Sequence, residues 1–273
     1  MPTLDENHQC IAVFGGVYNN HIALDAIIED ARAQGAQKIF NLGDVGGFGP
    51  HPNLSVERLR QGDVLTMQGN YDQSIGEGLD DCQCGYTDPR DNHFAQISYN
   101  YTLSNTRDTH RRWLRDLPGT FRLGDFGGLR VLMAHGSPRR INEFLWASTT
   151  PEPFIQRLLD DNDADLILVT HTGIHWKRFL SSAPERGIVN VGAIGRPPND
   201  GQTGVYYALL RVHPERPHQV ETQFRRVEYD CERLASQMRG EGLPEEFVET
   251  ILTGWWTTCL EILPAKERSR SRF

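Results

Sequence analysis

Through the first 70 positions, short apolar runs alternate with stretches whose apolar residues recur every three or four positions. Cys10 to Phe14 is an unbroken apolar run closed by Gly15 and Gly16, the pattern of a buried strand entering a tight loop. Ile22 to Ala33 carries Ile22, Leu24, Ile27, Ile28 and Ala31 at helical spacing. Lys38 to Leu42 predicts a second strand that runs into Gly43-Asp44, and Val64 to Met67 a third that runs into Gly69-Asn70. Strands and helices alternating at such short intervals predict a parallel α/β sheet. In such sheets the ligand-bearing residues gather just past the carboxyl ends of the strands.

The segment Gly76 to His93 breaks the alternation and reads as a long excursion. Its four aspartates, Asp80, Asp81, Asp88 and Asp91, are read as a solvated acidic loop or, alternatively, as an auxiliary cation site. Strands are then predicted at Leu129 to Ala134, ending in His135-Gly136, and at Asp165 to Thr170, ending in His171, with a helix around Pro153 to Leu159 between them. Gly187 to Val191 and Val205 to Val212 follow, the latter pairing with Gln219 to Val227 across the turn Pro214 to Pro217. Asp230 to Arg239 predicts a helix stopped at Gly240. A second helix is predicted from Pro244 to Leu263, where Phe247, Ile251, Leu252, Trp255, Cys259, Leu260 and Leu263 recur every three or four positions. Trp255-Trp256 is assigned to core packing, with a homodimer contact as the alternative, and the basic end after Ala265 to fraying. The predicted division is 1–229 for the main domain and 230–273 for a helical extension packed on it.

Composition narrows the class. The 273 residues are 38% hydrophobic and 23% charged, as in ordinary globular proteins. A net charge of −8 argues against nucleic acid and anionic membranes as partners. No run approaches the roughly 20 apolar residues of a membrane helix. The short polar stretch Met1 to Gln9 reads as neither signal nor transit peptide, so a cytoplasmic location is expected. In that reducing setting Cys10, Cys82, Cys84, Cys231 and Cys259 are expected as free thiols, Cys82 and Cys84 having a zinc clip as an alternative.

Four polar signals lie at strand ends: Gly43-Asp44, Gly69-Asn70-Tyr71-Asp72, His135-Gly136 and Thr170-His171-Thr172. An Asp, an Asn and two His converging on one edge form a ligand set suited to Mn²⁺, Fe²⁺ or Zn²⁺. The order and spacing of these blocks resemble the calcineurin-like metallophosphoesterase superfamily, in particular its small bacterial phosphodiesterase-like branch. The flanks agree as well: Gly43 to Pro50, His135-Gly136-Ser137-Pro138, and Val189 to Gly195, the likeness running from about residue 11 to about residue 240. The resemblance implies an α/β fold, a four-layer αββα sandwich of two mixed β-sheets flanked by helices, here with a C-terminal helical extension. It also implies two metals at the sheet edge.

This chain departs from that family's blocks in three places. Where Asp-x-His is expected stands Gly16-Val17-Tyr18; the catalytic His of the third block is Tyr71; the second His of the last block is Gly173. By the resemblance, the first metal keeps only Asp44, while the second keeps Asp44, Asn70, His135 and His171. One ion per chain is therefore expected. Tyr18 and His175 are weighed as substitute ligands against a pocket-filling tyrosine and a surface histidine. Restoring the lost types by Gly16→Asp, Tyr18→His and Gly173→His is expected to raise metal content towards two. Asn70, Tyr71 and Asp72 are the catalytic candidates, although a tyrosine with an ordinary pKa of about 10 is a poor acid at neutral pH. Arg139, Arg140 and Arg196 are read as phosphate-gripping groups or as solvated arginines.

Two functions follow. One is a metal-dependent phosphoesterase acting on a small phosphorylated substrate, a phosphomonoester or phosphodiester. The other is a catalytically inactive protein that uses the same fold as a binding scaffold.

Overall fold

The computed structural model describes residues 10–212, 215–216 and 218–269. Pro214, Pro217 and the stretch Met1 to Gln9, which carry the predicted turn and N-terminal reading, lie outside the described residues. Two five-stranded mixed sheets stack face to face. The first contains β1 (Cys10–Phe14), β2 (Lys38–Asn41), β3 (Leu65–Thr66), β9 (Val205–Val212) and β10 (Val220–Val227), in the order β10-β9-β1-β2-β3. The second contains β4 (Phe121–Phe126), β5 (Leu129–Met133), β6 (Leu166–Val169), β7 (Trp176–Leu180) and β8 (Ala183–Asn190), in the order β4-β5-β6-β8-β7. The strands β1, β2 and β3 run parallel, as do β5, β6 and β8, and the outer strands pair antiparallel.

The unbroken apolar runs follow from burial on both faces. Along β1, Ile11 and Val13 meet the opposite sheet, while Cys10, Ala12 and Phe14 face the helical layer. Along β6, Leu166 and Leu168 join the layer between the sheets, and Ile167 and Val169 pack outward with Ile155, Leu158 and Leu159 of α6 (Glu152–Asp161). The helices α1 (His21–Ala33), α2 (Pro52–Gln61), α3 (Asn70–Glu77), α4 (Pro89–Asn105) and α5 (Asp108–Arg115) contribute side chains to the cluster over the first sheet. The four-layer αββα architecture is the expected one.

Two regions differ from the reading of the sequence. The Asp-rich excursion is short, because α4 starts at Pro89 behind an Asp88 cap that accepts the Arg90 N–H at 2.8 Å. Its aspartates do not converge on a cation: Asp81 accepts from Gln83, and buried Asp91 accepts the Ile262 N–H at 2.9 Å. The helix predicted over Pro244 to Leu263 stops early. After α7 (Cys231–Gly240), α8 (Glu245–Thr253) ends at Gly254, whose φ of 73° and N–H bond to the Thr250 carbonyl close a left-handed C-cap. Trp255 to Leu263 then runs as turns, and α9 (Ala265–Arg268) gives the basic end a single helical turn. The extension is a wall of the main domain, with Leu234, Met238, Phe247, Val248 and Ile251 packed against Tyr18, Phe48 and Phe94. No described helix is long and apolar enough to cross a membrane.

Candidate metal centre

Two loops meet before any ligand can form. β2 runs into Gly43-Asp44 and β3 into Gly69-Asn70, and the loops touch so closely that a Cβ on Gly43 would lie 2.3 Å from the Gly69 nitrogen. A Cβ on Gly69 would lie 2.4 Å from both the nitrogen and Oδ1 of Asp44. Only glycine leaves room for this approach. Asp72, at the third position of α3, fixes the junction. Its Oδ2 accepts the Asp44 N–H at 2.7 Å and the Gly69 N–H at 2.8 Å, while Oδ1 accepts the Val45 N–H at 2.9 Å. Burial and the neighbouring Asp44 charge push Asp72 up to about 7, against the pull of those backbone donors. Asp72 thus shapes the loop that carries Asp44 and has no geometry for touching a substrate.

Asp44 sits in left-handed backbone, φ 57°, and its Oδ1 accepts the Tyr71 N–H at 3.1 Å. Oδ2 lies 3.3 Å from His135 Nε2. His135 follows β5, and its Nδ1 stands 2.7 Å from the Leu42 carbonyl, which can only accept, so Nδ1 carries a proton and, in the neutral ring, Nε2 carries the lone pair. That lone pair is 3.2 Å from Nδ1 of His171, the left-handed residue (φ 62°) after β6. Burial, and then the adjoining His135, lower His171 to about 3, so this imidazole is neutral at neutral pH. Burial pulls His135 down as well, but the Asp44 carboxylate outweighs it and holds the ring above its ordinary value. Ligand atoms of Asp44, His135 and His171 all lie within 4.8 Å of one another.

Asn70 completes the picture. Its amide nitrogen donates to the Cys82 carbonyl at 2.8 Å and to Cys84 Sγ at 3.4 Å, leaving Oδ1 buried with no partner among the described residues. His171 Nε2 is likewise buried without a hydrogen bond. A buried acceptor without a donor is costly, and crowded lone pairs beside a carboxylate ask for a proton or a cation. The donor set of one carboxylate, one amide oxygen and two imidazoles fits a divalent ion such as Mn²⁺, Fe²⁺ or Zn²⁺. Cys82 and Cys84, expected as free thiols or a zinc clip, are instead joined by a disulfide that holds the Asn70 clasp. Cys10, Cys231 and Cys259 remain free.

The remaining candidates fall into different places. Tyr18 lines the cavity beside Asp44, but burial raises its phenol well above the ordinary range, with the Asp44 charge adding to the effect. In the metal-free protein the phenol is therefore neutral, and Tyr18 fills space beside Asp44. Its ring covers Gly16, where a Cβ would meet Tyr18 Cζ at 2.8 Å and Ala193 Cβ at 2.6 Å. His175 is neither a ligand nor an open surface residue: it stacks on Tyr206 at 4.2 Å and packs against Phe224 at 4.7 Å, outside the cluster. The Tyr71 hydroxyl is tied to the Ala95 carbonyl and Ser98 Oγ at 3.3 and 3.2 Å, and burial raises its pKa against the opposing pull of the Ser98 bond. Arg139 is exposed, 3.6 Å from Glu143 and over the Phe154 ring, and neither it nor Arg140 lines the cavity. Arg196 does line it, with Phe48, Tyr86, Phe247 and Cys259. Those last residues, with Phe144 tilted against His171 at 4.4 Å between ring centroids, escaped the sequence reading. Only the Trp255-Trp256 pair hinted that the C-terminal segment reaches this site.

No family model matches the chain. The sequence is 27% identical over 260 residues to the uncharacterized protein MJ0912 of Methanocaldococcus jannaschii, covering 89% of this chain and 98% of that one. A crystal structure of a metallophosphoesterase from Sphaerobacter thermophilus is 28% identical, with a TM-score of 0.68, over 91% of this chain and 100% of the other. The hypothetical protein PH1004 from Pyrococcus horikoshii OT3 is 23% identical, with a TM-score of 0.72, over 91% and 99% of the two chains. With its two stacked mixed sheets and its Asp, Asn and His blocks at successive strand ends, the chain shares the fold of the Sphaerobacter thermophilus metallophosphoesterase and resembles the calcineurin-like metallophosphoesterase superfamily.

Proposed function

We propose that the protein hydrolyses a small phosphomonoester or phosphodiester with one divalent ion, held by Asp44, Asn70, His135 and His171. The observation that carries this reading is the Asp44, His135 and His171 cluster, together with a buried Asn70 oxygen that has no partner among the described residues. A bound ion supplies Lewis acidity there, drawing charge from a phosphoryl oxygen and favouring attack by water. The chain does the rest. Leu42 and Asp72 orient His135 and Asp44, and the Cys82 carbonyl holds the Asn70 amide nitrogen, leaving its oxygen free for the ion. The adjoining cavity measures about 40 Å³, room for a few waters or one phosphoryl group, so the remainder of a substrate projects out of it.

Tyr71 donates its proton to fixed acceptors and is pushed above its ordinary range, so it gives no help to a leaving group at neutral pH. The reading is therefore of slow turnover, fastest on esters with good leaving groups. That same observation favours the second reading, a binding protein that has kept the ion and lost the chemistry. The discriminating experiment measures metal content and hydrolysis of p-nitrophenyl phosphate and bis-p-nitrophenyl phosphate. About one ion per chain is expected, with turnover abolished both by chelation and by His171→Ala. Hydrolysis that survives His171→Ala and chelation would refute the enzymatic reading. One tightly held ion without turnover on either ester, whichever metal is supplied, would select the binding protein.

A further inference from the structure

Arg196 lines the small cavity together with Asp44 and His171 and is 94% buried, at a relative exposure of 6%. Its guanidinium lies 3.5 Å from the Trp256 ring centroid, 5.7 Å from Phe48 and 5.8 Å from Tyr18. Aromatic faces attract a cation but leave its charge uncompensated. The other polar neighbours, Tyr18, Tyr86 and Cys259, are all held in their neutral acid forms by burial. Among the described residues no carboxylate forms an ion pair with Arg196, and its Nε is buried with no hydrogen-bond partner. Buried charges are ordinarily paired, because desolvation without a counter-charge is unfavourable.

The position has a second meaning. A Cβ on Gly173 would meet the Trp256 ring at 3.1 Å and Arg196 Nη2 at 3.8 Å. The space into which a side chain at position 173 would project is thus filled by an organic cation stacked on an indole.

We infer that Arg196 is the resident second cation of this site, a preformed receptor for a phosphate-type oxyanion held between its guanidinium and the cluster of Asp44, His135 and His171. The planar fork matches two oxygens of a tetrahedral anion. The inference rests on the proposed phosphoesterase for its biological sense, although anion capture by Arg196 requires no metal. A small tetrahedral group fits the cavity. A bulky anion does not.

The test uses the full chain stripped of metal by chelation, checked by elemental analysis and titrated with inorganic phosphate by calorimetry. Saturable binding at one site per chain is expected, weakened about tenfold or more by Arg196→Met and less by Arg196→Lys, which keeps charge but loses the fork. Melting curves separate this from a merely structural role. Removing an unpaired buried charge should leave the phosphate-free melting temperature of Arg196→Met unchanged or higher, and should erase the rise that phosphate gives the parent. No phosphate binding by the metal-free parent would overturn the inference, as would equal binding by Arg196→Met. If Arg196→Met fails to fold, Arg196→Lys decides: undiminished phosphate affinity in that variant counts against the fork. Failure of the metal reading shows separately, as absence of any bound ion before chelation.

Discussion

Replacing Asp72 with asparagine tests whether the junction beneath the metal cluster depends on a charged carboxylate. The side chain accepts three backbone N–H groups, two on Oδ2 and one on Oδ1. Asparagine has the same shape but offers one acceptor and one donor. With its oxygen towards Asp44 and Gly69 it keeps two bonds and points its amide nitrogen at the Val45 N–H. The lost charge-assisted bond amounts to about 1.5–3 kcal/mol, and the stranded buried N–H adds about 1–3 kcal/mol. Relief of the desolvation and Asp44 repulsion that push Asp72 up to about 7 offsets this by about 4 kcal/mol once the group is ionised, at about 1.4 kcal/mol per pKa unit. Because the carboxyl is raised, its favourable contribution is present at low pH and is lost as pH rises through about 7. The expected loss on substitution is therefore larger at about pH 5 than at about pH 8, by about 1 kcal/mol or more, measured by urea unfolding in the presence of chelator. An equal loss at the two pH values would refute the reasoning, because Asp72 would then not titrate between them.

Two further outcomes follow from the same geometry. Gly173→His should not add a second ion, because its left-handed backbone (φ 76°) and the Trp256 ring resist a side chain there. It should destabilise by about 1–3 kcal/mol, and elemental analysis showing two ions would refute the crowding argument. The double change Cys82→Ser and Cys84→Ser should weaken metal affinity about tenfold in competition with a chromophoric chelator, since Asn70 loses the clasp that aims its oxygen. Unchanged affinity would mean that the Asn70 orientation does not depend on the disulfide.

Much of the sandwich was legible because β1 and β6 are buried on both faces, and double burial writes an unbroken apolar run. The ligands were legible because strand-end Gly-Asp, Gly-Asn and His-Gly pairs reflect loops that must nearly touch. The middle helices were not, because α4 buries Ser98, Tyr99 and Thr102 along with Phe94, which blurs its apolar period. The over-long C-terminal helix arose because Trp256 and Leu263 do pack inward, but from turns after the Gly254 cap, whose glycine was a usable stop signal. The roles of Arg196 and Tyr71 were hidden for a different reason. Arg196 gathers its cage from Tyr18, Phe48 and Trp256, and Tyr71 finds its acceptors at Ala95 and Ser98, pairings that exist only after folding.

The candidate ligands also straddle a seam. Asp44 and Asn70 hang from β2 and β3 of one sheet, His135 and His171 from β5 and β6 of the other, and the His135 bond to the Leu42 carbonyl already crosses between them. An ion bound there would rivet two leaves that, among the described residues, also meet at this edge through the Asp44–His135 contact at 3.3 Å and the Ile194 and Gly195 N–H bonds to the Gly15 and Gly16 carbonyls. Opening of the sandwich at this edge would then require release of the rivet, and hydrogen exchange along β2 and β5 would slow as metal is supplied. Metal availability would thereby govern the lifetime of the folded chain as well as its chemistry.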